Sequence, residues 1–285
     1  MRSKLFVPGA RPELFAKALA GAADALSFDL EDSVTEDRKA DARAAVARFV
    51  AGDEVARAAK LIIVRTNAPG SMHFEHDIAA IARPGVTLIN LPKIESPETL
   101  RATVAILEEA ERANGVTQPI GLLVNIETPQ ALADAMRIAR AHSRVAGLQL
   151  GLGDLFEPHG IDRTDARNVH AAMFALRMAA AQAGVFAMDG AFAALDDDDG
   201  YVAEARMAKG LGFVGKSCIH PRQVTLANAV FEVTDAELEA ARRIVDAANS
   251  SGLSSQGAFV VDGRMIDLPF LKRAQALLAA PRRPT

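Results

Sequence analysis

The chain has no tryptophan, a single tyrosine (Tyr201) and a single cysteine (Cys218) in 285 residues. So few aromatics leave little material for a surface that stacks unpaired bases. One cysteine permits no internal disulfide and matches a reducing cytoplasm. No apolar run reaches the roughly 20 residues of a membrane span. The start, MRSKLFVPGARPE, has a short apolar patch broken by Pro8 and Gly9, unlike a secretory signal. A net charge of −4 and a pI near 5.9 argue against nucleic acid or an anionic membrane as the main partner. No glycine-rich dinucleotide fingerprint follows the first apolar run, and nothing resembles a serine nucleophile elbow. These absences lead us to expect a cytoplasmic protein with no nucleic-acid or membrane partner.

What is present is a rhythm. Short apolar runs alternate with Ala-, Arg- and Glu-rich segments along the chain, and eight of them read as strands: Lys4–Pro8, Ala25–Leu30, Leu61–Arg65, Thr87–Pro92, Ile120–Ile126, Ala146–Leu150, Val185–Met188 and Phe213–Gly215. The run PIGLLVNIET is apolar throughout and ends in Glu127, as expected of a strand buried on both faces in a parallel sheet. Helical segments between the runs often start with Pro or an acid and stop at Gly. Successive strand ends are 22 to 36 residues apart, on average 30, close to the roughly 31 residues per βα unit of a (β/α)8 barrel. The expected fold is therefore a TIM barrel over residues 1–232 with a C-terminal extension over 233–285. The extension reads as helix–turn–helix: Asp235–Ala248, a Gly/Ser turn at Ser250–Gly257, and Leu268–Ala280. Such a surplus segment suits a lid or a contact with a neighbouring subunit. The acidic run Asp196–Asp199 reads as a solvated loop leading into a helix N-terminus.

In a barrel, side chains at the C-terminal ends of strands converge on one face. Here they include Asp29, Glu31, Asp32, Arg65, Lys93, Glu95, Glu127, Asp154 and Asp189. Clustered carboxylates raise one another's pKa unless a cation neutralises them. An oxygen-rich set without His or Cys selects Mg²⁺, with Mn²⁺ as a substitute, and Glu127 with Asp154 fits that role. The planar fork of Arg65 suits a substrate carboxylate, although an ion pair with Glu31 or Asp32 is the structural alternative. Arg11 and Lys17 flank a helix start as a phosphate grip or as solvent-facing cations. His220 suits a loop-capping role, and Lys93 and Lys216 are the candidates for a Schiff-base lysine.

The segments LFVPGARPELFAKA, FDLEDSV, VRTN, LPKIES, NIET, GLGD, GFVGKSCIHPRQV and GRMIDLPFLKRAQ follow one another in this order. Together they resemble the HpcH/HpaI aldolase and citrate lyase family, in particular its citrate lyase β-subunit-like branch, over nearly the whole chain. The resemblance implies a Mg²⁺-dependent carbon–carbon lyase acting on short 3-hydroxyacyl-CoA thioesters such as citryl-, citramalyl- or malyl-CoA. It also implies a homotrimer or dimer of trimers, with other citrate lyase subunits as possible partners. By matching motifs it gives Glu127 and Asp154 as metal ligands and Arg65 as the holder of the keto-acid part. Phe6, Arg11 and Lys17 match coenzyme A contacts, and Gly153, Ile219 and His220 match positions lining the substrate site. Asp267 matches an acid that the C-terminal segment lends to a neighbour's active site, and Asp29, Glu31 and Asp32 would orient metal-bound water from behind the ligands. Many such relatives carry Glu before the aspartate ligand, where this chain has Gly153. A thioesterase using the same metal site, an aldolase acting on free hydroxy-keto acids and a non-catalytic barrel subunit are the alternatives.

Overall fold

Each barrel strand is a short run of mostly buried residues, and burial on both faces requires a sheet covered by helices outside and filled by side chains inside. The computed structural model describes residues 1–250 and 258–279. Its strands β1 (Ser3–Pro8), β2 (Ala25–Asp29), β3 (Leu61–Arg65), β4 (Leu88–Leu91), β5 (Gly121–Ile126), β6 (Val145–Leu150), β7 (Phe186–Met188) and β8 (Lys216–Cys218) form one parallel sheet in chain order, with β1 paired to β8. The seam between β7 and β8 is closed by Val214 N–H to the Ala187 carbonyl (2.9 Å), Asp189 N–H to Gly215 (3.0 Å) and Ser217 N–H to Asp189 (3.1 Å). The result is the expected (β/α)8 barrel.

Helices end as their sequences dictate. Ser96 and Thr128 each accept a hydrogen bond from the backbone N–H three residues on, with Pro at the next position. Gly184 and Gly212 stop their helices at φ +72° and +88°, where a side chain would be strained. The acidic run does lead into a helix: Asp197 caps Asp198–Leu211 by accepting from the Gly200 N–H.

Alternate residues of each strand share a face, so the strand register stacks the barrel interior in layers. Ala25, Ile63, Leu88, Leu123 and Met188 form an apolar floor. Above it lie the buried polar side chains of Lys4, Asn90, Asn125 and Gln149, and at the rim come Asp29, Arg65 and Glu127. A second, larger apolar core lies outside the sheet, under the helices.

Two expectations are corrected. The eighth strand is Lys216–Cys218 rather than Phe213–Gly215. Lys216 is fully buried, donating to Asp189 (2.7 Å) and Glu204 (2.6 Å), so an ion pair rather than an apolar run makes this strand. The same contacts remove Lys216 as a Schiff-base candidate. Burial alone would strip its proton, but Asp189 and Glu204 hold it on and raise the pKa above the ordinary lysine value. Arg163 completes the cluster with a two-pronged contact to Glu204 at 2.7 and 2.9 Å.

The second correction concerns the C-terminal segment. The chain divides into two compact units, Met1–Phe231 and Glu232–Thr285. In the second, the helices Asp235–Ser250 and Leu268–Ala279 are separated by an antiparallel hairpin of β9 (Ala258–Val261) and β10 (Arg264–Asp267), not by a turn alone. Asp262 and Gly263 both have positive φ (+50° and +74°), the two-residue turn that Asp-Gly favours. Most of the expected Gly/Ser turn region lies outside the described residues.

Removing the cation of a buried ion cluster leaves its acids buried and uncompensated. Lys216→Met should therefore lower the free energy of urea unfolding by about 3–5 kcal/mol, followed by circular dichroism. An unchanged midpoint would show that the seam does not depend on the pair.

Candidate active site

The C-terminal rim of the barrel opens into a cavity of about 1020 Å³. Phe6, Asp29, Asp32, Arg65, Glu127, Gly153, Asp154 and Ile219, all singled out from the sequence, line it. Glu31 is beside Arg65. The Arg11 side chain is exposed and pairs with Glu13 at 3.0 Å, and Lys17 is exposed on the helix Phe15–Ala20; neither lines the cavity. His220 is also exposed, and its Nδ1 accepts from the Arg222 N–H (3.2 Å), the capping contact weighed for it from sequence. Asp267 ends β10 in the second unit, and its Oδ1 is buried without a hydrogen-bond partner among the described residues.

Glu127 directly follows β5 and is almost fully buried, at 3 % exposure. Its Oε1 accepts from the Lys93 N–H (2.7 Å) and its Oε2 from Asn125 Nδ2 (3.1 Å). Lys93 reaches this position with φ +52°, a conformation that costs a non-glycine residue about 1 kcal/mol or more. That cost turns a backbone donor toward the carboxylate. Burial, together with the charge of Asp154, nevertheless pushes Glu127 above the ordinary glutamate pKa. Asp154 itself is exposed on the one-turn helix Leu152–Phe156 after β6. A Cβ on Gly151 would meet the Glu127 carboxylate oxygen at 2.7 Å, so the chain at Gly151 crosses directly against that side chain.

Arg65 ends β3 and is saturated with acids. Its Nε and Nη2 grip Asp29 at 2.7 and 2.8 Å, while Nη1 lies 2.9 Å from Glu31 and 3.1 Å from Asp32. Asp29 also accepts from the Glu31 and Ser33 N–H groups. Burial would raise the Asp29 carboxyl, but Arg65 and these donors hold it below the usual carboxylate value. The ion pair weighed against a ligand role for Arg65 is thus present, on a residue that also faces the cavity.

The rim carries the carboxylates of Asp29, Glu31, Asp32, Glu127 and Asp154 against the cations Arg65 and Lys93, and the Lys93 ammonium is 3.9 Å from Glu31. This excess of negative charge, with oxygen donors only, fits a hard divalent cation. Among the described residues no group of three or more His, Cys, Asp or Glu is placed to hold a metal. The pair Glu127 and Asp154 matches the one or two carboxylates that Mg²⁺ usually takes.

Sequence reasoning missed the layer beneath the rim. Lys4 Nζ donates to Asn90 (3.3 Å) and to Gln149, and sits 4.0 Å from the Phe6 ring centroid. Asn90 Nδ2 donates to Asn125 Oδ1 (2.7 Å). The signal was available: each is a polar residue interrupting an apolar strand at an inward-facing position.

Burial, with Asp32 and Glu127 adding repulsion against the opposing pull of Arg65 and Lys93, raises Glu31 from 4.5 to about 8. A raised carboxyl pKa means that the folded state binds a proton the unfolded chain has released. Its stabilising contribution is full below about pH 4.5 and is lost as pH rises through about 8. The metal-free protein should lose stability across that window, and Glu31→Gln should flatten the slope. A parent profile unchanged by the substitution would contradict this account.

Comparisons with known proteins bear on the family of the whole chain. The sequence profile of the HpcH/HpaI aldolase/citrate lyase family matches residues 2–221. The L-malyl-CoA/beta-methylmalyl-CoA lyase of Cereibacter sphaeroides is 33 % identical over 298 residues, covering 97 % of this chain and 93 % of that protein. The citrate lyase subunit beta of Escherichia coli K12 is 34 % identical over 281 residues, covering 98 % and 92 %. Among solved structures, CitE from Mycobacterium tuberculosis in complex with magnesium, acetoacetate and coenzyme A superposes with a TM-score of 0.74 at 31 % identity, over 98 % of both chains. Fold, rim chemistry and nearly full-length similarity converge: the chain belongs to the HpcH/HpaI aldolase/citrate lyase family.

Proposed function

We propose that this protein is a Mg²⁺-dependent carbon–carbon lyase that splits a short 3-hydroxyacyl-CoA into an acyl-CoA and a 2-oxo acid. The observation that carries it is the buried Glu127 carboxylate lining the rim cavity with Asp154, its pKa raised by burial and by the charge of Asp154. The relatives named above act on, or were solved with, CoA thioesters, keto acids and magnesium. Mn²⁺ would suit the same donors.

Glu127 and Asp154 would hold the metal, whose chemistry when bound is Lewis-acid polarisation of the substrate oxygen. Arg65 is fixed by its grip on Asp29 and presents Nη1 towards Glu31 and Asp32. The Asp32 side chain is 61 % exposed, so a substrate carboxylate can displace that solvent-screened contact and be held by the fork. Phe6 supports the guanidinium from below, with its ring centroid 5.0 Å from Arg65 Cζ. In cleavage the hydroxyl proton passes to solvent water in the open cavity, its oxygen forms the carbonyl of the 2-oxo acid, and the electrons of the broken carbon–carbon bond pass to the thioester as an enolate. Asp267, supplied by a neighbouring subunit's C-terminal segment, would return one proton to the enolate carbon. Phe6, Arg11 and Lys17 would meet the coenzyme A moiety, and Gly153, Ile219 and His220 would line the substrate site. Asp29, Glu31 and Asp32 would orient metal-bound water. We read the assembly as a homotrimer or dimer of trimers in the cytoplasm, with residues 233–285 as the shared lid. Among the described residues no helix is long and apolar enough to cross a membrane.

A panel of malyl-, citramalyl- and citryl-CoA and a free hydroxy-keto acid with Mg²⁺, following 2-oxo acid and free thiol together, tests the reaction. A 2-oxo acid without free thiol is expected from the thioesters; free thiol without a 2-oxo acid would mean a thioesterase. Cleavage of free hydroxy-keto acids alone would mean an aldolase, and no turnover would leave a non-catalytic barrel. Glu127→Ala and Asp154→Ala should each lower kcat/KM by at least about 100-fold, and full activity in either would remove the ligand assignment. Asp267→Asn should lower kcat while leaving KM nearly unchanged, whereas a purely structural residue would lower thermal stability instead.

A further inference from the structure

We infer that Lys4, deep in the barrel, is a positioning residue for Glu127 and acts through a directional relay of two asparagine side chains. Lys4 Nζ donates to Asn90 Oδ1 (3.3 Å), Asn90 Nδ2 donates to Asn125 Oδ1 (2.7 Å), and Asn125 Nδ2 donates to Glu127 Oε2 (3.1 Å). Lys4 and Asn90 are fully buried and Asn125 is 2 % exposed, so water does not compete for these groups.

The direction of the chain is fixed at its root. An amide side chain has one accepting and one donating end, and Asn90 is oriented from two sides. The lysine offers it a donor, while the Leu123 carbonyl, 2.9 Å from Nδ2, accepts only. With Asn90 held this way, Asn125 must turn its oxygen down and its N–H up. The group that meets Glu127 is then a donor, which pins one carboxylate oxygen. The other oxygen is pinned by the Lys93 N–H. Neither contact depends on whether Lys4 is charged, since amine and ammonium both donate. The second Lys4 hydrogen bond, to Gln149, holds the side chain in place.

Groups that orient metal ligands from behind typically change metal affinity by about 10–100-fold when removed. This relay rests on the proposed metal role of Glu127, so the test measures Mg²⁺ binding to the full chain by calorimetry, without substrate. Lys4→Met keeps an unbranched side chain of nearly the same volume without the donor and should weaken Mg²⁺ about 10-fold, with the circular dichroism spectrum of the parent. Asn125→Ala should do the same. The double variant should be no weaker than Asn125→Ala alone, because a relay cut at its last link gains nothing from its first. Should Lys4→Met fail to fold, Asn90→Leu cuts the chain at its middle link and carries the same comparison. Parent affinity in a folded Lys4→Met protein would overturn the relay. So would losses that add in the double variant, since general loosening of the barrel has that signature. Glu127→Gln binding Mg²⁺ as tightly as the parent would instead refute the ligand role itself, and the relay with it.

Discussion

The active end of this protein depends on keeping one carboxylate, that of Glu127, out of water and in a fixed orientation. A strand buried on both faces supplies the position, and two N–H donors satisfy the oxygens. Desolvating a carboxylate is costly unless it is paired or hydrogen-bonded, and here the hydrogen bonds do not fully offset burial. Several neighbouring features relate to that imbalance. Lys93 adopts a left-handed backbone to deliver its N–H, Gly151 lacks the Cβ that would strike the carboxylate, and Asn125 turns its amide upward. What remains uncompensated is negative charge facing a cavity, the condition under which a divalent cation binds.

The barrel handles charge differently at its two sensitive places. At the β7–β8 seam, Lys216 meets Asp189 and Glu204, and Arg163 closes the outer side of Glu204. Opposite charges are matched there, and the cluster joins the last strand to the helix Asp198–Leu211. At the rim Arg65 faces more acid than it can neutralise. A barrel of parallel strands places alternate side chains inside, so polar residues on inward positions must be satisfied by one another. The layer of Lys4, Asn90, Asn125 and Gln149 does this between the apolar floor and the rim. It is a buried network in which each amide has a defined polarity, the kind that fixes one arrangement over its alternatives.

The legible part of the sequence was the part governed by hydrophobic continuity. Seven strands were found within a few residues because apolar runs bounded by Gly, Pro or charge are strong signals. The spacing of their ends then gave the barrel and placed Glu127, Arg65 and Asp154 on one face. The eighth strand was misplaced because its residues, Lys-Ser-Cys, are polar, and what buries them is an ion pair with residues at 189 and 204. No local pattern carries that information. The hairpin of β9 and β10 is a different case: Asp262-Gly263 is a local turn signal, to which the reading of the extension as two helices and a Gly/Ser turn assigns nothing. The rim acids were legible as a cluster, and Glu31 and Asp32 as possible partners of Arg65. That Asp29 takes two prongs of Arg65 while Glu127 attaches to Lys93 and Asn125 follows from register, which one sequence does not print.

The glycines of GLGD separate what the fold requires from what it leaves free. A Cβ at Gly151 would lie 2.5 Å from the Cβ of Glu127, so this glycine is imposed by the carboxylate. A Cβ at Gly153 would meet nothing within 4 Å. Gly153 also lines the cavity beside Asp154, so the absence of a side chain there reflects neither packing nor backbone strain. Its effect is to leave space next to a charged rim residue. An added carboxylate would place a further negative charge beside Asp154 and narrow that part of the cavity. The fold and its buried carboxylate therefore impose residue 151, whereas residue 153 is open to change the shape and charge of the cavity without cost to either.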